Sequence, residues 1–140
     1  MIEAKRIIQP NDWSCLACVA AMITGQPLDA VLGYVAKYLP LDVCAARGSI
    51  PFTLIAGYLP LHGYTLGAFS NGIPRKKWAQ FWYSRSIPAV AVCDNGSSLT
   101  THAVLWTGAT VLDPSPRKGA VEPLENYVVR EWWPIHKWED

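Results

Sequence analysis

Residues 9–25, QPNDWSCLACVAAMITG, join a short polar turn to a segment that is almost wholly apolar. The apolar stretch runs from Cys15 to Thr24 and stops at Gly25, a residue that commonly ends helices in the left-handed conformation. A helix that is apolar on every side is covered on every side by the rest of its domain. The sequence therefore predicts a buried helix over residues 15–24.

Two more helical segments are predicted in the first third of the chain. Gln26-Pro27 opens the second helix, because proline is favoured in a first helical turn. Apolar residues recur there at helical spacing: Leu28, Val31, Leu32 and Val35. A loop is expected around residues 42–49, followed by a helical segment over residues 51–61 that stops at His62-Gly63.

The remaining two thirds change from mixed to extended character. The middle third of the sequence predicts a short strand over residues 64–69, a turn at Asn71-Gly72 and an amphipathic helix over residues 74–83. Apolar runs then alternate with turn residues, which predicts β-structure. The expected strands cover residues 87–93, 102–107, 110–112 and 127–133, with turns at 94–98 and 108–109. Helices followed by antiparallel strands indicate an α+β domain.

Length and composition predict a single globular domain over residues 1–140. About half of the residues (51%) are apolar and the net charge is +1, so the electrostatic signature of a nucleic-acid binder is missing. The apolar runs fall short of the roughly 20 residues that span a bilayer, and residues 1–8 contain no secretory signal core. We therefore expect a cytoplasmic protein that binds neither nucleic acid nor membrane.

Cys15 stands where a polar loop meets the first turn of the predicted helix. The unpaired N–H groups and the positive end of the helix dipole favour the thiolate form at such a position. Because the preceding loop leaves one side open to substrate, Cys15 is the candidate nucleophile. The other cysteines, Cys18, Cys44 and Cys93, are interpreted as core residues.

A nucleophilic cysteine needs a base, and the chain has three histidines. His62 follows a predicted helix end and is interpreted as a capping or surface residue, and His136 lies in the tryptophan-rich tail, where chain ends are often loosely held. His102 opens an apolar strand after a polar loop, so its ring can project from the end of the sheet. His102 is therefore the candidate general base.

Two further residues complete the predicted site. The hairpin around Gly108 returns the chain toward His102 and brings Asp113 near it, so that its carboxylate can orient the imidazole. Asp94 and Asn95 remain alternatives for this role. Gln9, six positions before Cys15, can direct its side-chain N–H at a developing oxyanion, with the Cys15 amide as the second donor.

These residues, in this order, resemble papain-like cysteine peptidases. A Gln, a short acidic loop, a Cys and a small-residue helix are closest to the bacteriocin-processing branch, which removes double-glycine leaders. The later strand over residues 87–92, the strand that begins at His102 and the Asp113-Pro114 pair that follows are similar as well. The resemblance implies a stand-alone papain-like domain, with a helical half packed on a small antiparallel sheet. It also implies a Cys15–His102–Asp113 triad, Gln9 in the oxyanion hole and a protein or peptide substrate.

We expect Trp13 and Trp106 to shape the cleft of such an enzyme, and we expect no cofactor and no metal, because no second close pair of ligands accompanies Cys15 and Cys18. Two alternatives remain open. The same fold can serve as a non-catalytic protein-binding module. Cys15-Leu-Ala-Cys18 is also a C-x-x-C at a helix start, as in thiol-disulfide oxidoreductases, although no strand is predicted directly before it.

Overall fold

The computed structural model describes residues 2–67, 70–71, 86–94 and 101–138. Helices occupy the first part of the described chain, and an antiparallel sheet occupies the second part. The α+β class predicted from the sequence is therefore confirmed. The helix predicted over residues 74–83 lies outside the described residues, as do position 72 and positions 95–98 of the two predicted turns.

The predicted buried helix is the centre of the helical half. The helix α1 begins at Cys15, and its residues 16–23 are all buried. It ends at Gly25, whose φ of 73° lies in the left-handed region and whose N–H donates to the Ala21 carbonyl. The helices of the described chain are α1 (Cys15–Thr24), α2 (Leu28–Ala36), α3 (Leu41–Arg47) and α4 (Phe52–Tyr58), with 3-10 helices at Leu59–His62 and Leu124–Asn126.

The prediction of a loop around residues 42–49 is wrong, because most of this stretch forms the helix α3. Pro40 precedes the helix and Gly48 ends it in the left-handed conformation, with φ of 78°. The helix has seven residues, which is less than two full turns. A helix this short carries too little apolar periodicity to be recognised by its pattern.

The strands form one antiparallel sheet in the order β1-β6-β3-β4-β5, and β2 also pairs with β6. Two pairings position the residues of the predicted site. Strand β3 places Cys93 opposite His102 of β4, and the hairpin from β4 to β5 pairs Leu105 with Leu112. The strands are β1 (Tyr64–Leu66), β2 (Ser70–Asn71), β3 (Ala89–Asp94), β4 (Thr101–Trp106), β5 (Val111–Leu112) and β6 (Val129–Lys137).

The last strand departs from the sequence prediction. The sequence predicts a strand over residues 127–133 and a loose tail at His136, but β6 continues to Lys137 and lies between β1 and β3. Pro134 lacks an N–H and normally disfavours such a position. Here the inter-strand hydrogen bonds continue on both sides of Pro134. The Gly67 N–H donates to the Pro134 carbonyl at 2.7 Å, and the Ile135 N–H donates to the Pro88 carbonyl at 2.8 Å.

The sheet carries a separate core on each face. Alternate strand residues, such as Val90 and Leu105, join the helices in the larger cluster, whereas Ala91, Val104 and Trp106 belong to a second cluster. The segment between β5 and β6 covers that second face through Leu124 and Tyr127. No helix in the described part of the chain is long and apolar enough to cross a membrane.

Candidate active site

Cys15 is the first residue of α1, and its thiol faces the start of β4. The buried helix behind it fixes the backbone, while the side chain remains partly exposed. Burial raises the pKa of the Cys15 thiol, but hydrogen bonds from His102 and from the backbone N–H groups of Ala103 and Leu16, together with the charge of His102, lower it by more. The balance leaves the pKa below its ordinary value, which favours the thiolate.

His102 lies between Cys15 and Asp113. Its Nε2 is 2.5 Å from Oδ1 of Asp113, which leaves Nδ1 as the ring nitrogen for the Cys15 sulfur. Burial lowers the pKa of His102, but the hydrogen bonds and charges of Asp113 and Cys15 raise it to about 9. The imidazole is therefore protonated at neutral pH, and its charge compensates that of the neighbouring thiolate.

Asp113 follows directly after β5, where the hairpin returns the chain toward His102. Its side chain is only 1% exposed. Burial raises the pKa of the Asp113 carboxyl, but the bonds from His102, from the Ser115 N–H and from the Tyr127 hydroxyl lower it overall. Asp94, the alternative for this role, is instead bonded to Nε of Arg130.

Gln9 lies near Cys15 and His102, where all three line one cavity, and one of its side-chain N–H groups is engaged within its own loop. Its Nε2 donates to the Asn11 carbonyl at 2.7 Å, and its backbone N–H donates to the Pro114 carbonyl at 2.8 Å. Its Oε1 is buried and has no hydrogen-bond partner in the described part of the chain. A side-chain amide carries two N–H groups, so Nε2 retains a second donor besides the one used by Asn11.

Cys15, His102 and Gln9 line a cavity of about 670 Å³. The link between α3 and α4 lines the cavity, and so does the turn after Asp113. Further lining residues belong to these segments and to the sheet: Arg47, Gly48, Ser49, Ile50, Pro51 and Phe52, then Ser115, Pro116 and Arg117, with Val92, Thr101, Ala103 and Glu131. This volume lies within the range of small-molecule binding sites.

The aromatic residues at the cavity are not the predicted ones. Trp106 is 4% exposed and belongs to the cluster on the far face of the sheet, and Trp13 packs against the helical core. Neither lines the cavity, where Phe52 supplies a phenyl ring. This ring packs against that of Trp133 at a tilt of 33°, with centroids 4.7 Å apart. No local sequence signal marks Phe52, because the pairing joins α4 to β6 across the fold.

The remaining cysteines bear on the redox alternative. Cys18, Cys44 and Cys93 are free thiols and are buried, as predicted for core residues. Burial and the nearby Cys15 raise the pKa of Cys18 to about 12, so Cys18 is a thiol rather than a thiolate at neutral pH. A loop, not a strand, precedes the Cys15-Leu-Ala-Cys18 sequence, unlike the arrangement of thioredoxin-like sites.

No protein-family model matches the sequence, and a search of curated proteins found no match to it. The function is therefore inferred from the residues and their geometry.

Proposed function

We propose that this chain is a papain-like cysteine hydrolase that cleaves an amide bond in a protein or peptide. The observation that carries the proposal is the chain of contacts from the Cys15 thiol through His102 to the buried Asp113 carboxylate, at the N-terminus of a buried helix and open to a cavity. A nucleophile bonded to a base, and a base bonded to an orienting acceptor, is the arrangement that covalent acyl transfer requires.

The order of these residues in the chain supports the papain-like assignment. A helical half that presents the cysteine and a sheet that presents the histidine, with the site between them, is the arrangement implied by the resemblance. The loop that precedes Cys15, at the place where a thioredoxin-like site has a strand, weighs against the C-x-x-C alternative.

The proposed reaction begins with attack of the Cys15 thiolate on the substrate carbonyl carbon. The His102 imidazolium gives its proton to the leaving amine, the C–N bond breaks and a thioester to Cys15 remains. Neutral His102 then takes a proton from water as the water oxygen attacks the thioester. The acid is released, and the thiolate and imidazolium are restored. Asp113 keeps the ring orientation through both steps.

The negative oxygen of each tetrahedral intermediate needs donors. The backbone N–H of Cys15 and the second Nε2 hydrogen of Gln9 are the groups proposed for this role. The partly exposed Gln9 side chain lines the same cavity as Cys15. The bond from Nε2 to the Asn11 carbonyl restrains the amide beside the cavity.

The first test is alkylation of the native protein with limiting iodoacetamide between pH 5 and 8, with mass-spectrometric mapping of all four cysteines. We expect Cys15 to react rapidly well below pH 8.5, the approximate pKa of a free thiol. Cys18, Cys44 and Cys93 serve as internal controls, and the Cys15→Ala variant shows the background. A Cys15 that reacts no faster than a model thiol contradicts the proposal and favours the binding module.

The reaction class is tested next by incubating a defined peptide mixture in ¹⁸O-labelled water. Hydrolysis places ¹⁸O in each new carboxyl terminus, and we expect labelled products from the unmutated chain and none from Cys15→Ala. Cys44→Ala is the matched control, because it removes a buried thiol from α3 instead. Equal labelling by the Cys15→Ala variant would show that the activity belongs to a contaminant or to other residues.

A further inference from the structure

The hydroxyl of Tyr127 donates a hydrogen bond of 2.8 Å to Oδ2 of Asp113, the carboxylate oxygen that His102 does not contact. We propose that Tyr127 is a positioning residue of the site, which holds the Asp113 carboxylate so that this carboxylate keeps the His102 imidazole directed at Cys15. The inference rests on the proposed hydrolase function and extends its Cys–His–Asp chain by one residue.

The hydrogen bonds to Asp113 explain why a donor on Oδ2 matters. Oδ1 accepts from Nε2 of His102 and from the Ser115 N–H, at 2.5 and 2.8 Å. The terminal torsion of an aspartate side chain is broad and soft, so contacts to one oxygen alone leave the carboxylate plane able to rotate. The Tyr127 bond to Oδ2 restrains that rotation. Asp113 is 1% exposed, so solvent has little access to replace this donor.

Tyr127 is held in place by contacts that do not involve its hydroxyl. Its side chain is 5% exposed and packs in the cluster on the far face of the sheet, beside Leu124 and Val129. Its N–H donates to the Leu124 carbonyl at 3.1 Å, and the ammonium group of Lys118 lies 5.6 Å from the ring centroid. A phenylalanine at this position retains the ring packing and loses only the donor.

The Tyr127 hydroxyl stays protonated, and so remains a hydrogen-bond donor, over the pH range in which Cys15 and His102 form an ion pair. Burial, the bond to Asp113 and the carboxylate charge all raise the pKa of Tyr127 above its usual range. Tyr127 is therefore not itself a proton-transfer group. Its expected effect is on the ionisation of Cys15 through Asp113 and His102, which a side chain that only fills the core would not change.

The test is the rate of Cys15 alkylation by iodoacetamide between pH 5 and 10 in the Tyr127→Phe variant. We expect a roughly threefold lower rate at pH 6, because a less well-held imidazolium stabilises less thiolate. At pH 10 the rates should converge, since the thiol is then ionised in either protein. Tyr58→Phe is the matched control: it removes the hydroxyl of another buried tyrosine, 3% exposed, in the helical cluster, and should leave the profile unchanged.

The outcomes separate this inference from the proposed function. Slow alkylation of Cys15 in the unmutated chain overturns the hydrolase proposal itself. Fast alkylation in the unmutated chain with an identical pH profile in Tyr127→Phe overturns the positioning role and leaves the hydrolase proposal standing. A profile that changes equally in Tyr58→Phe also overturns it, because the effect would then follow from the loss of any buried hydroxyl.

A second measurement covers the case in which Tyr127→Phe does not fold. In the unmutated chain with ¹³C at tyrosine Cζ, alkylation of Cys15 removes the thiolate and so changes the charge state of His102. We expect the Tyr127 Cζ resonance to shift on alkylation while that of Tyr58 does not. A Tyr127 resonance that stays in place would show that its hydroxyl is not coupled to the site.

Discussion

Replacing Asp113 with asparagine removes the charge beside His102 and keeps the side chain nearly the same size. The pKa of His102 is raised to about 9 from an ordinary value of 6.5, and the difference corresponds to about 3 kcal/mol. Asp113 and Cys15 both contribute to it. If Asp113 supplies about half, its loss lowers the pKa of His102 by roughly one unit, and it lowers about tenfold the equilibrium constant for forming the thiolate–imidazolium pair from the neutral thiol and the neutral imidazole.

The assay is the pseudo-first-order rate of iodoacetamide alkylation at Cys15 from pH 5 to 10, measured by mass spectrometry of the Cys15 peptide. We expect Asp113→Asn to react more slowly between about pH 7 and 9, by up to about tenfold, because the neutral thiol and neutral imidazole then compete with the ion pair; the rates should converge near pH 5, where His102 is protonated in either protein, and near pH 10. Asp94→Asn is the matched control, because Asp94 ends the neighbouring strand and pairs with Arg130 outside the cavity. Superimposable profiles for Asp113→Asn and the unmutated chain would refute the coupling of Asp113 to Cys15.

Three other predictions concern the oxyanion donor, the core cysteine and the pH dependence of stability. Gln9→Ala should lower kcat for peptide hydrolysis by roughly 10²-fold and leave the alkylation rate of Cys15 unchanged, because alkylation forms no oxyanion; a parallel loss of both would indicate a structural role. Cys18→Ala should lower the free energy of unfolding by about 1 kcal/mol, measured in urea, with Cys15 alkylation intact; loss of activity in a well-folded Cys18→Ala variant would favour the redox alternative. In Cys15→Ala, the bond to Asp113 should keep the His102 pKa above its unfolded value but below the value of about 9 that includes Cys15. The stabilisation is then complete below about pH 6.5 and is lost as the pH rises through the His102 pKa of the variant. The urea midpoint should therefore fall over that interval, and the fall should disappear in Cys15→Ala/His102→Gln. The opposing contribution of the Cys15 thiolate, whose pKa is lowered, is absent from both variants.

The parts of the fold that the sequence predicts correctly are those fixed by neighbouring residues. The buried helix α1 is marked by an unbroken apolar run and by Gly25, and the β4–β5 hairpin by apolar strands around Gly108, whose φ is 99°. In both cases the local pattern and the tertiary environment favour the same structure. The helix α3 is missed because its seven residues contain too little pattern.

The parts that the sequence does not predict depend on contacts between distant residues. The position of β6 between β1 and β3 follows from pairings such as Thr65 with His136, and Pro134 is a misleading local signal. Tyr127 has the sequence context of an ordinary core aromatic, and only the approach of Asp113 gives its hydroxyl a role in the site. Phe52 is likewise positioned by Trp133, far along the chain.

The position of β6 in the sheet also affects the order in which the protein can be completed on the ribosome. Strand β3 pairs with β4 on one side and with β6 on the other, and β1 pairs with β6. Until residues 129–137 leave the ribosome, the edges of β3 and β1 that β6 will occupy have no partner from that strand. Unpaired strand edges are templates for aggregation, so the interval before β6 emerges is when the nascent chain most needs protection by a chaperone.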